Sequence, residues 1–334
     1  MNITVLGAGA WGTALAISLS AHHRVTLWTR NAEQLAAMKS QRSNARYLPG
    51  HLLPENLLLE PNLSRALDAA ELVILAVPVA GLRETLQQLA TRKKPLAVIW
   101  LCKGFEADTG KLPHQVAAEI LPENFMRGVL SGPSFAQEVA RGLPTALTFA
   151  CNDESFARST AQALHHQRLR VYASTDVTGV EVGGAVKNAL AIAAGICDGM
   201  GLGFNARAAL ITRGLAEIAR LGVKLGGRAE TLGGLSGAGD LILTCTGDLS
   251  RNRQVGMLLA KGQTLPEILQ HLGHVAEGVY TVREVRQLAQ KLGVAMPICE
   301  AVYRIIYDHI PASAVIAELL SRTPNSEFGS LPTS

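Results

Sequence analysis

Apolar positions in the first half of the chain come in short runs separated by stretches with helical spacing. The first run starts at Ile3 and opens into Gly7-x-Gly9-x-x-Gly12, after which Ala14, Leu15, Ile17 and Leu19 follow at helical intervals. This predicts strand, tight glycine turn and helix. A second strand is expected over 25–28, with Asn31 as the N-cap of a helix reaching about Gln41. Residues 43–64 hold several prolines and few periodic apolar positions, so they read as loop with a short strand at 57–59. The continuous apolar runs 72–77 and 97–101 suit parallel strands buried on both faces, with a helix over 82–90 between them. Strands at 128–130 and 145–150, a helix over 154–165 and a strand at 169–172 complete the half. Alternating units of this kind imply a parallel, doubly wound sheet.

From about Asp176 strand-like runs almost vanish. The stretch 181–195 is apolar or small nearly all round, which predicts a buried helix, interrupted only by Lys187 and Asn188 after its first residue. Helices follow at 205–221 and 228–233. A second glycine loop, Leu235-Ser-Gly-Ala-Gly-Asp240, has no parallel strand before it and is not a second nucleotide fingerprint. Ser250, Arg251 and Asn252 cluster at the start of a helix reaching about Lys261. Further helices are expected at 264–272, 278–292, 297–307 and 311–320. The expected organisation is a dinucleotide-binding domain over 1–175, a helical substrate domain over 176–322 and a flexible Pro/Ser/Gly-rich tail over 323–334. There is no internal repeat.

Length supports two domains: 334 residues with 48% hydrophobic content exceed one ordinary core. The net charge of +4 is small for this length and argues against a nucleic-acid-binding face, while leaving room for a basic pocket. A strand starting by residue 3 leaves no space for a signal peptide, and the apolar run 182–197 is short for a bilayer and carries Lys187. A cytoplasmic protein without a transmembrane segment is therefore expected. The five cysteines, 102, 151, 197, 245 and 299, form no C-x-x-C pair and read as reduced, buried thiols.

Each glycine of the fingerprint has its own task. Gly7 turns the chain out of the strand, Gly9 lets a pyrophosphate approach the backbone, and Gly12 lets the helix pack on the strand. The helix N-terminus, at Ala10 and Trp11, offers unpaired N–H groups to phosphate. The second strand is followed by Arg30 with no carboxylate until Glu33. An acid there would bind a ribose 2′-hydroxyl, whereas an arginine accommodates a 2′-phosphate. NADP(H) is thus favoured, with NAD(H) the other cofactor this fold takes, unless Arg30 is a solvated strand-end residue. Lys103 falls at the carboxyl end of an expected parallel strand, where ligands bind; a surface lysine is the alternative. Ser131-Gly-Pro-Ser134 is a rigid turn suited to an anion; simple turn chemistry is the alternative. Burial of Lys187 would lower its pKa toward a useful acid–base range, unless the side chain snorkels to water. Asp240 could cap a helix or orient Lys187. Arg251 beside open helix N–H groups could clamp a phosphate or be an ordinary surface arginine.

The motifs G-A-G-A-W-G, N-A-R-Y-L-P, C-K-G, S-G-P-S-F-A, G-G-A-V-K-N, G-A-G-D-L-I-L-T-C-T, S-R-N and V-A-E-G occur in that order. Through them the chain resembles bacterial NAD(P)-dependent glycerol-3-phosphate dehydrogenase along about residues 1–320. The resemblance implies a Rossmann domain followed by an all-α domain of the 6-phosphogluconate dehydrogenase type. It implies reversible reduction of dihydroxyacetone phosphate to sn-glycerol 3-phosphate, feeding phospholipid synthesis, in a family that is usually homodimeric. It makes Lys187 the proton donor and acceptor, with Lys103, Gly132, Ser134, Asp240, Ser250, Arg251 and Asn252 also on the substrate. It sets Trp11, Arg30, Lys103, Ala136, Arg251, Val275 and Glu277 on the cofactor, and no metal. Two readings compete: a 3-hydroxyacid or 6-phosphogluconate dehydrogenase, which would need carboxylate recognition, and a cofactor-binding regulator without turnover, which would leave Lys187, Asp240 and Arg251 unexplained.

Overall fold

The computed structural model describes residues 1–92, 94–272 and 277–322. In chain order the first half runs β1 (Asn2–Leu6), α1 (Ala10–Ser20), β2 (Arg24–Trp28), α2 (Ala32–Gln41), β3 (Ser43–Asn44), β4 (Leu48–Leu52), β5 (Leu58–Glu60), α3 (Leu63–Asp68), β6 (Leu72–Leu75), α4 (Val79–Ala90), β7 (Ala97–Trp100), α5 (Pro113–Ile120), β8 (Arg127–Ser131), α6 (Ala136–Ala140), β9 (Thr145–Ala150), α7 (Glu154–Leu164) and β10 (Leu169–Ser174). Eight of these strands form one sheet in the order β10-β9-β8-β7-β6-β1-β2-β5. The continuous apolar runs lie at its centre, where β6 is buried along its whole length, as expected of a strand covered on both faces. Strand order reverses direction at β1, which pairs in parallel with β2 on one side and β6 on the other. The crevice at the carboxyl ends of these strands is where open α/β sheets bind ligands.

The sheet is mostly parallel, as expected, and the exception lies at one joint. β9 runs antiparallel to β8, and β10 is parallel to β9. The link between β8 and β9 contains only the five-residue α6. Such a helix spans about 7 Å, too little to carry the chain back along the sheet for a parallel return. The stretch 43–64 is also more ordered than expected. Besides the expected short strand, which is β5 at the sheet edge, it contains the antiparallel pair β3–β4, and the pattern gave no sign of α5.

The second half is helical: α8 (Val177–Gly199), α9 (Gly203–Lys224), α10 (Ala229–Gly233), a π-helical turn at Leu235–Gly239, α11 (Asp240–Thr246), α12 (Arg251–Ala260), α13 (Leu265–Leu272), α14 (Glu277–Leu292), α15 (Pro297–Tyr307) and α16 (Ala312–Leu320). The other helices gather round α8, which is buried along nearly its whole course. Asp176 caps it by accepting from the Gly179 N–H at 2.8 Å. With 23 residues, α8 is long and apolar enough to cross a bilayer, contrary to the length argument above; here its most apolar stretch is entirely enclosed by protein. α12 crosses α8 with the backbones almost touching, since a Cβ on Gly195 would stand 2.0 Å from Arg253 O and one on Gly256 2.0 Å from Ile192 O. All five cysteines are buried and free. The tail expected at 323–334 lies outside the described residues.

Candidate active site

The glycine turn has the form its spacing requires. Gly7 sits at φ +117°, and a Cβ there would stand 2.4 Å from Ala76 O at the end of β6. A Cβ on Gly12 would lie 2.1 Å from Gly7 O, so only glycine lets α1 pack this closely on β1. Gly9 is different: a Cβ there would meet nothing within 4 Å. The space in front of its backbone is open, as a pyrophosphate needs. Gly9 is also the N-cap of α1 and supplies no side-chain cap, and the first turn carries no acid, so its N–H groups face that space. These features fit a dinucleotide. Trp11 and Ala136 pack in one small cluster where α1 meets α6, beside the opening. Arg30 is exposed two residues beyond β2, with no hydrogen bond or ion pair among the described residues.

Further along the same sheet edge, Lys103 follows β7 and Gly132 follows β8. Lys103 Nζ donates to Gly132 O at 3.1 Å and to Asp240 Oδ2 at 2.6 Å. From the helical half, Lys187 Nζ donates to Asp240 Oδ1 at 2.5 Å and to Thr244 Oγ1 at 2.9 Å. One carboxylate therefore holds two ammonium groups, one from each half of the chain. Asp240 is 1% exposed, Lys187 8% and the Lys103 side chain 15%. Burial pulls the Lys187 pKa down to about 8, helped by the Lys103 charge and opposed by Asp240 and Glu277. Lys187 thus does not snorkel to water, and it titrates near neutrality.

The third group lies at the start of α12. Ser250 is its N-cap, accepting from the Arg253 N–H at 3.3 Å. Asn252 donates to Asn188 Oδ1, at 3.0 Å, and accepts from the Gly278 N–H at 3.0 Å, tying α12 to α8 and α14. Arg251 is exposed and has no hydrogen-bond or ion-pair partner among the described residues, although its charge acts on Glu277 at the start of α14. A free guanidinium beside the unpaired N–H groups of a helix start is a ready anion site. Ser134 donates its hydroxyl to Gly132 O at 3.0 Å. A cavity of about 720 Å³ between α9, α15 and α16 contains none of these residues.

Two family models cover most of the chain: NAD-dependent glycerol-3-phosphate dehydrogenase N-terminus over residues 2–157, and the C-terminus of the same family over 176–317. The chain belongs to the NAD-dependent glycerol-3-phosphate dehydrogenase family. Among its relatives, the NAD(P)+ glycerol-3-phosphate dehydrogenase of Nitrosomonas eutropha is 62% identical over 327 residues, covering 98% of this chain and 99% of its own. That of Nitrosospira multiformis is 60% identical over 98% of this chain and the whole of its own. The crystal structure of glycerol-3-phosphate dehydrogenase from Coxiella burnetii superposes with a TM-score of 0.91 at 41% identity, over 96% of this chain and 99% of that one.

The structure brings Lys103, Lys187, Gly132 and Asp240 together, a wiring that the motifs alone do not give. Asp240 was expected to cap a helix or orient Lys187; it opens α11 and serves both lysines. Thr244 was not singled out, although it is four residues after Asp240 on the same face of α11 and donates to Asp240 O at 2.6 Å. Reading Leu235 to Asp240 as a loop hid that helical spacing. Val275 lies outside the described residues.

Proposed function

We propose that this site catalyses reversible NAD(P)H-dependent reduction of dihydroxyacetone phosphate to sn-glycerol 3-phosphate, with Lys187 as the proton donor and acceptor. One observation carries the reading: two ammonium groups from different halves of the chain, Lys187 buried and Lys103 half-buried, converge on Asp240 at 2.5 and 2.6 Å, and the buried one has its pKa held near 8. Bound nicotinamide cofactor supplies or accepts the hydride. As the substrate carbonyl is reduced, its oxygen gains negative charge. Lys103 and Lys187 stabilise that charge, and Lys187 delivers the proton. Asp240 keeps both ammonium groups aimed at one point. The two cations supply the charge stabilisation, so the reading assigns no metal.

The substrate phosphate reacts with nothing. It is gripped by Arg251 and by the open N–H groups at the start of α12, with Ser250 and Asn252 holding that helix end in place, and its binding energy orients the carbonyl. Gly132 and Ser134 line the substrate side. Gly7, Gly9, Ala10 and Gly12 take the pyrophosphate, with Trp11 and Ala136 beside it; Val275 and Glu277 complete the cofactor contacts expected from the resemblance. Arg30, exposed and without a partner among the described residues, selects NADP(H) over NAD(H) through the 2′-phosphate. The division at 175/176 between cofactor and substrate domains, a homodimeric state and a cytoplasmic role in glycerophospholipid synthesis belong to the same reading.

The test is loss of NADPH absorbance on adding dihydroxyacetone phosphate, repeated with Lys187→Met. Methionine keeps the aliphatic stem and removes the amine. The chemical step should slow by about 10²–10⁴-fold with NADPH binding retained. A folded Lys187→Met enzyme with near-normal turnover would refute the assignment and make Lys103 the leading acid.

A further inference from the structure

Glu181 takes no part in the site described above, yet its carboxylate lies buried on the seam between the sheet and the helical half, with its side chain 1% exposed. Oε1 accepts from the Trp100 indole Nε1 at 2.7 Å and from the His114 backbone N–H at 3.0 Å, and Oε2 accepts from His114 Nδ1 at 2.6 Å. The acceptor belongs to α8. The donors belong to β7 and to the first turn of α5, whose unpaired N–H groups the carboxylate helps to satisfy.

The register of these contacts matters. Trp100 ends β7 three residues before Lys103. Glu181 lies one turn before Gly184 on the same face of α8. A Cβ on Gly184 would stand 3.3 Å from Lys103 Cγ and 3.0 Å from Ser131 Oγ, so the helix backbone rests directly on the lysine stem. Positions 100 and 103 of the sheet therefore meet positions 181 and 184 of the helix, and Lys187 is one turn further on. Whatever fixes how α8 docks on the end of β7 fixes the spacing of the two lysines.

We propose that Glu181 is a positioning residue for the reaction: by tying α8 to Trp100 and His114, it sets the spacing of Lys103 and Lys187 and keeps water away from Lys187. The proposal rests on Lys187 being the proton-transfer group. Burial is the largest influence lowering the Lys187 pKa, so a loosened seam should let it rise toward its ordinary value near 10.5. The charged groups acting on Lys187 are Asp240, Lys103 and Glu277. The titratable groups near Glu181 are the His114 ring and the Cys102 thiol, whose own pKa burial pushes well up. Glu181 itself titrates higher than usual because of burial, against the pull of the His114 and Trp100 bonds.

The experiment follows glycerol 3-phosphate oxidation with NADP+ as kcat/KM against pH. In this direction Lys187 must be neutral, so wild-type activity rises as pH passes about 8. Glu181→Gln can accept from Trp100 and the His114 N–H and donate to Nδ1 of the neutral ring, so its rising limb should stay in place. Glu181→Ala loses all three bonds. Its limb should move up by about one unit or more and its kcat fall about tenfold or more, with cofactor Kd unchanged. Trp100→Phe removes one donor and should move the limb the same way by less. A folded Glu181→Ala enzyme with the limb unmoved overturns the proposal. If that variant does not fold, Trp100→Phe with an unmoved limb does so. A Glu181→Gln limb displaced as far as that of Glu181→Ala also overturns it, since charge and not docking would then be at work. Near-normal turnover in Lys187→Met would instead remove the proton-transfer reading on which the proposal stands.

Discussion

Asp240→Asn is the sharpest perturbation of the two-lysine arrangement. The wild-type carboxylate accepts from Lys187 through Oδ1 and from Lys103 through Oδ2, and it is 1% exposed. Asparagine has nearly the same shape but no charge. Its carbonyl can serve one lysine, and its amide N–H groups then point at the other, donor against donor. For Lys187 the Asp240 charge is the largest influence favouring the ammonium; burial and Lys103 oppose it, and only Glu277 among the named charges still helps. An opposite charge at this range shifts a pKa by about 1–3 units. Removing it should take Lys187 from about 8 to roughly 5–7. On the proposed mechanism, reduction of dihydroxyacetone phosphate needs protonated Lys187. In wild type, kcat/KM should therefore fall as pH rises through about 8, and in Asp240→Asn the fall should come about 1–3 units lower. At pH 7.5 the smaller protonated fraction should make the variant about 3–250-fold slower even where substrate saturation is restored. Breaking a buried ion pair costs about 3–5 kcal/mol. That loss should shrink as pH rises from the variant's lowered Lys187 pKa to about 8: there the unfolded lysine holds its proton while the variant's buried one has lost it, so the variant gains stability and the wild type does not, whereas above that both gain together. The assay is NADPH consumption from pH 5.5 to 9.5, with thermal melts at each pH. A folded variant whose limb stays at the wild-type position or moves to higher pH would refute the account of Lys187.

Three further outcomes follow from the geometry. Arg251→Ala should lower kcat/KM for dihydroxyacetone phosphate by roughly thirtyfold or more, the effect of losing about 2–5 kcal/mol from a desolvated charge pair; dihydroxyacetone turnover should change little, and an equal loss on both would point away from phosphate. Arg30→Asp should weaken NADPH more than NADH, so an unchanged ratio of the two catalytic efficiencies would sink the 2′-phosphate assignment. Gly9→Ala and Gly12→Ala should separate binding from folding. A Cβ at Gly9 meets no protein atom within 4 Å, so that variant should keep its melting temperature and lose cofactor affinity by about tenfold or more. A Cβ at Gly12 would stand 2.1 Å from Gly7 O, so that variant should be destabilised by about 1–3 kcal/mol, read as a lowered Tm.

The pattern of apolar runs was enough to place β1, β2, β6 and β7 and the helical second half, because a buried parallel strand and a helix repeat with different periods. It could not give strand direction. The stretches that became β8 and β9 look alike whichever way they run, and only the shortness of α6 between them shows the reversal. Nor could periodicity find β3 and β4, which are brief and rich in turn residues, or α11, which starts directly out of a π-helical turn. At the site, Lys103, Lys187, Asp240 and Arg251 were legible as unusual residues in their local settings. Their mutual arrangement was not, since Lys103 and Asp240 are 137 positions apart and meet at 2.6 Å only through the packing of α8 and α11 on the sheet edge. Glu181 gave no signal beyond being an acid at the start of an apolar helix.

α8 shows how a chain can hold a lysine inside a core. A helix buried on every side leaves an ammonium group two exits, water or a fixed acceptor, and here the acceptors are Asp240 and Thr244 at 2.5 and 2.9 Å. That arrangement works only if neighbouring elements approach α8 very closely. Small residues make room for them: a Cβ on Gly183 would stand 2.6 Å from Ser236 O, in the turn that leads into Asp240. On another face, Gly184 admits the Lys103 stem. Further along, Gly195 admits the backbone of α12, whose start carries Arg251 and Asn252. The apolar, glycine-rich composition that makes α8 look like a membrane segment is thus what lets Asp240 and Lys103 be brought to one lysine and α12 be laid against the same helix. An added methyl group at Gly183 or Gly184 would push its partner away from Lys187.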